Sequence, residues 1–77
     1  MTTYHFTVVI EPDEDMFHAY VPTLPGCHTF GATLDETRAN ITEAIELYIE
    51  CMQQEGETIP TESEPMMIMR LAVPVTA

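Results

Sequence analysis

Residues 20–37 read Tyr-Val-Pro-Thr-Leu-Pro-Gly-Cys-His-Thr-Phe-Gly-Ala-Thr-Leu-Asp-Glu-Thr, and their order decides the fold. Proline has no N–H for a strand ladder and glycine tolerates positive φ, so the run Pro22 to Gly26 is a corner between two strands. Val21 ends one strand and Cys27 begins the next, which Gly31 closes. Thr33-Leu34-Asp35-Glu36 then has the spacing of a capping box. In that motif the Thr33 hydroxyl accepts from the N–H of Glu36, whose carboxylate reaches back toward the preceding backbone.

Downstream of this stretch, Leu34, Ile41, Ile45, Tyr48 and Met52 follow steps of seven, four, three and four, one stripe of a helix running to about Glu55. Ala44 widens the stripe, and Gly56 is the expected C-terminal cap. Upstream, Tyr4, Phe6, Val8 and Ile10 alternate with Thr3, His5, Thr7 and Val9, the period of a half-covered strand. Glu11 to Met16 is an acidic turn, and Phe17 to Val21 returns with Phe17, Ala19 and Val21 on one face. The expected register sets Ile10 opposite Phe17 and Val8 opposite Ala19, so the two apolar faces agree. Cys27 to Phe30 extends the sheet, with Cys27 and Thr29 inward. Thr58 to Pro65 is a polar connector, and Met66 to Val73 is an apolar run broken only by Arg70. It reads as a fourth strand that crosses back to lie parallel to the first. The expectation is a single α+β domain over residues 1–77: two layers in the order β-β-β-α-β, three antiparallel strands, one long helix on one face, and a fourth strand.

Several of these segments together resemble the HicB family of antitoxins. They are Glu11-Pro12-Asp13-Glu14-Asp15, Ala19-Tyr20-Val21-Pro22, Leu24-Pro25-Gly26-Cys27-His28, Gly31-x-Thr33-Leu34-Asp35-Glu36 and Glu43-Ala44-Ile45-Glu46-Leu47-Tyr48. The likeness covers roughly residues 4 to 60. Each motif alone is weak, and five in order at compatible spacings are specific. One departure is local: the family usually carries a glycine or two after the acidic turn, where this chain has Met16 and Phe17. The resemblance implies a HicB-like, partial ribonuclease-H-like fold. It also implies a small cytoplasmic antitoxin whose partner is a HicA-like toxin, a small basic mRNA-cleaving ribonuclease that the antitoxin neutralises by covering its active surface. Many members also carry a C-terminal DNA-binding segment; none is evident in these 77 residues, so operator binding is not expected from this chain alone.

Composition points the same way. Thirteen acids face two bases, Arg38 and Arg70, and the formal net charge is −11. Nucleic-acid binding replaces phosphate counterions with several cations, which this chain lacks, and anionic membranes are disfavoured for the same reason. A basic protein would be attracted. No signal-peptide pattern opens the chain, and no run approaches the ~18 apolar residues of a membrane span. A chain of 77 residues has a marginal core of its own, so a homo-oligomer, dimer or higher, is expected.

Sites of chemistry are not expected. The turn Glu11 to Asp15 lacks the glycine and the terminal acid of a calcium loop, and the strands Tyr4 to Ile10 and Phe17 to Val21 hold no carboxylate for a ribonuclease-H-type metal site. Cys27 and His28 are adjacent on a strand and point to opposite faces, which separates thiol from base; no CxxC or HxxxH spacing is present for zinc. Both cysteines read as small buried hydrophobes. No enzyme, cofactor or metal is expected. The candidate surfaces are for partners: the acidic turn (Glu11, Asp13, Glu14, Asp15), the helix row Glu43, Glu46 and Glu50, and the outward sheet face with His18, Tyr20, His28 and Phe30, which a second copy or another protein would cover. The alternative reading is a solitary oligomeric binding or regulatory module of the same fold without a toxin.

Overall fold

The computed structural model describes residues 2–62 and 67–76. Three strands, β1 (Val9–Asp13), β2 (Met16–Tyr20) and β3 (His28–Gly31), form one antiparallel sheet in the order β1-β2-β3, and one helix, α1 (Leu34–Gln54), packs on it. The architecture is α+β.

The β1–β2 register sets Ile10 opposite Ala19 and Pro12 opposite Phe17, two residues further along than the sequence implied. The turn is therefore two residues, Glu14 and Asp15, and Glu14 takes a left-handed φ of 56°. Primed hairpin turns need a positive φ at this first position. Because the shift is even, side-chain parity is kept, and Val8, Ile10, Ala19 and Val21 pack in the core as expected; Phe17, expected beside them, is half-buried near the hairpin tip and is not among the residues packed on that core.

β1 begins at Val9 rather than Tyr4. In this register Thr7 falls opposite Pro22, which has no N–H, and the N–H of Val21 is spent on the carbonyl of Cys27, 3.1 Å away. Tyr4 is consequently 40% exposed, stacked on Phe6 instead of entering the core. The Thr7 N–H finds another partner, the Glu62 carboxylate at 2.7 Å.

Two turns build the proline corner. Leu24 N–H bonds Val21 C=O at 3.0 Å, and Cys27 N–H bonds Leu24 C=O at 3.0 Å across Pro25-Gly26, with Gly26 at φ 81°. Proline then glycine at the middle of a turn is the type II preference. The corner throws Leu24 back under the sheet, where it is fully buried with Ala19, Val21, Cys27 and Ile41.

At its start, α1 is capped by Thr33, whose hydroxyl accepts the Glu36 N–H at 3.1 Å; the Glu36 carboxylate reaches back to Ala32 N–H at 3.3 Å, one residue beyond the expected partner. At its end, Gly56 N–H bonds Gln53 C=O and Glu57 N–H bonds Met52 C=O, the paired bonds of a Schellman motif, with Gly56 at φ 71°. Ile41, Ala44, Ile45, Tyr48, Ile49 and Met52 contact the core. Two expectations fail here: Leu34 is 56% exposed, and Cys51 is exposed where a buried thiol was anticipated. The fourth strand is not seen either. Met66 lies outside the described residues, and residues 67–73 belong to no strand.

Candidate partner-binding surface

The outward face of the sheet is built by register. Glu11 pairs with His18 and His18 with Phe30, giving one row across three strands; Val9, Tyr20 and His28 form the next. Side chains at paired positions share a face, so the expected quartet His18, Tyr20, His28 and Phe30 comes together. His18 is its hub: its ring centroid lies 4.8 Å from Phe30, 5.4 Å from His28 and 5.7 Å from Tyr20. Nδ1 of His18 is 3.8 Å from a Glu11 carboxylate oxygen.

The acidic turn is continuous with this face. Asp13, Glu14, Asp15, Met16 and Phe30 line one cleft of about 340 Å³ at the hairpin tip, so carboxylates edge the aromatic patch. At the other end His18, Tyr20 and His28 face the proline corner across an open, largely apolar groove of about 500 Å³. Glu43, Glu46 and Glu50 are exposed on α1, in the other layer. The structure thus joins two of the three candidate clusters into one surface and leaves the helix row apart.

The sheet separates Cys27 from its sequence neighbour His28. Cys27 is inward and 4% exposed, and burial pushes its thiol pKa up, opposite to what a nucleophile needs. His28 stands on the other side of the sheet. Among the described residues no group of three or more His, Cys, Asp or Glu could hold a metal ion, and no helix is long and apolar enough to cross a membrane.

One polar site escaped the sequence reading. Glu62 accepts from the Thr7 hydroxyl at 2.6 Å, the Thr7 N–H and the Thr23 hydroxyl at 3.1 Å. These bonds favour the ionised form and lower its carboxyl pKa, the Thr7 hydroxyl contributing most. Only a tertiary contact between residues 39 and 55 positions apart could reveal it.

Residues 6–72 match the family model described as a HicB-like antitoxin of a bacterial toxin–antitoxin system. The chain belongs to the HicB-like antitoxin family. Relatives carry the label UPF0150: one from Synechocystis is 44% identical over 70 residues, covering 86% of this chain and 89% of its own. A UPF0150 protein of Archaeoglobus fulgidus is 49% identical over 57 residues (70% of this chain and 83% of its own). Another from Thermoplasma acidophilum is 46% identical over 59 residues, 75% and 86% of the two chains. No solved structure matches.

Proposed function

We propose that this HicB-like chain is an antitoxin that binds and neutralises a HicA-like toxin, a small basic mRNA-cleaving ribonuclease, by covering its active surface. The observation that carries the reading is the family match over residues 6–72. The net charge of −11 supports it, since charge complementarity steers a basic partner to an acidic surface. The chain acts in the cytoplasm, has no catalytic role of its own and assembles as a homo-oligomer. Its sheet gains a fourth strand from the C-terminal apolar run, in the manner of a partial ribonuclease-H-like fold. Toxin contact falls on the acidic turn and the adjoining His18, Tyr20, His28 and Phe30 face. The turn is favoured over the helix row because its carboxylates are compact, sit at the tip of the hairpin and share a cleft with Phe30 of that face.

Co-expression with a neighbouring short basic reading frame tests this. The expected result is co-purification and relief of growth arrest; a toxin that stays active and does not co-purify ends the reading. Association of the purified proteins then locates the surface. Asp13→Asn/Glu14→Gln/Asp15→Asn slows the on-rate more than it changes the off-rate and flattens the salt dependence, because exposed charges act within a Debye length of about 8 Å at physiological salt. Glu43→Gln/Glu46→Gln/Glu50→Gln has the smaller effect. If both triple variants associate at the parent rate with the parent salt slope, the acidic surface serves solubility alone.

A further inference from the structure

β3 is the sheet edge away from β1: among the described residues it pairs with β2 alone. The Val21 N–H bonds Cys27 C=O at 3.1 Å, so Cys27 aims its carbonyl at β2. Ladder groups alternate in direction along an antiparallel strand. Thr29 and Gly31 therefore also face β2, while His28 and Phe30 turn their N–H and C=O to the open edge. Asn40 of α1 takes one of these, its Nδ2 donating to Phe30 C=O at 2.9 Å. The window left for a further strand is short: the N–H and C=O of His28 and the N–H of Phe30.

A groove runs beside this window. Ala44, Leu47, Tyr48 and Cys51 of α1 face Gly26 and Cys27 across a largely apolar space of about 310 Å³. Asn40, Ala44, Leu47 and Cys51 are spaced four, three and four apart, so they form one helical stripe along the β3 edge. Leu47 is 56% exposed, and Cys51 is exposed as well. A strand added at the window would alternate its side chains between the outward face and this groove.

Charge selects the occupant. Glu43 and Glu50, both exposed, lie four residues before and three after Leu47, so each is its neighbour on the helix surface. They stand about 10 Å apart along the helix axis. In an extended segment, residues two before and two after a central one share its side and span about 13 Å. A second copy is a poor fit for such a rim, since this chain has thirteen acids and two bases. We infer that the β3 edge and its groove take an extended segment of a partner protein, with an apolar side chain in the groove and a lysine or arginine two residues to either side. Main-chain bonds to His28 and Phe30 hold the segment, and the groove with Glu43 and Glu50 reads its side chains. No toxin is needed for this, so the inference stands or falls apart from the antitoxin reading.

Amide NMR of the full chain tests it, with the capped peptide acetyl-Lys-Thr-Leu-Thr-Lys-amide as probe and acetyl-Glu-Thr-Leu-Thr-Glu-amide as its counterpart. The basic peptide is expected to shift the His28 and Phe30 amide signals and to slow hydrogen exchange at those two N–H groups. The acidic peptide is expected to bind at least about tenfold more weakly. Leu47→Gln should weaken binding several-fold, and Glu43→Gln/Glu50→Gln should remove the preference for the basic peptide. All three positions are exposed, so both variants should keep the helical circular dichroism of the parent. Unchanged exchange at His28 and Phe30 with the basic peptide at millimolar concentration overturns the inference, as does equal binding of the two peptides or parent-like binding by the variants. So does protection of those two amides that rises with protein concentration alone, which would assign the edge to a second copy.

Discussion

Thr37, on the first turn of α1, packs directly on Gly31, the last residue of β3. A β-carbon placed on Gly31 would stand 2.6 Å from the backbone nitrogen of Thr37 and 2.8 Å from its Cα. Thr37 itself is fully buried, and its hydroxyl donates to Thr33 C=O at 2.7 Å. Strand end and helix start are thus in backbone contact, which sets the height of the helix over the sheet.

Gly31→Ala should therefore be costly. The atoms in the way belong to helix backbone that cannot rotate aside, and overpacking of this kind costs about 1–3 kcal/mol or more. Urea denaturation should place the variant at that loss. A change under half a kcal/mol would mean that the helix can lift without penalty.

Glu14→Gly should act in the opposite direction. A non-glycine residue in the left-handed region costs roughly 1–2 kcal/mol, partly offset by the greater unfolded-state freedom of glycine. Glu14 holds φ 56° beside Asp13 and Asp15, so the substitution relieves strain and like-charge crowding together. A gain of about 0.5–1 kcal/mol is expected from thermal or urea unfolding. A loss would show that the side chain contributes more than its backbone conformation costs.

Leu24→Ala and Leu34→Ala form a matched pair. Leu24 is fully buried, so its truncation should cost about 2–5 kcal/mol. Leu34 is 56% exposed and should cost about half a kcal/mol or less. Equal costs would contradict the burial difference.

The Leu24 and Leu34 pair also marks how far the sequence could be read. Helical phase put Leu34 on the same stripe as Ile41, and the angle is right. The height is not: Thr37 already sits on the last residue of β3, and Leu34 lies a turn nearer the helix start. Leu24 sits in a proline-rich corner without periodicity, so only closure of the two turns reveals that it points inward. The outward quartet was legible because side-chain parity survives an even register shift. Its contact with the acidic turn was not, since that depends on where the hairpin tip lies relative to Phe30.

Glu62 makes stability depend on acid. Its folded-state pKa is below the ordinary 4.5, so the stabilisation is fully present above that value and is lost as pH falls through the depressed one. Urea midpoints followed downward from pH 5 should fall more steeply for the parent than for Glu62→Gln. Parallel curves would mean that the bonds from Thr7 and Thr23 do not favour the ionised form over the protonated one.

The hydroxyl of Tyr48 donates to Pro25 C=O at 2.9 Å, fastening the proline corner to α1 from beneath while Leu24 fills the space below it. That corner is one wall of the groove beside His18, Tyr20 and His28. The wall is preorganised: two proline residues, a buried leucine and a helix-borne phenol fix it before anything arrives. A partner entering the groove spends little free energy on ordering loops, and binding costs of that kind are among the largest a surface can avoid. Tyr48→Phe removes one hydroxyl on α1 and would loosen this wall of the groove through the Pro25 backbone it holds.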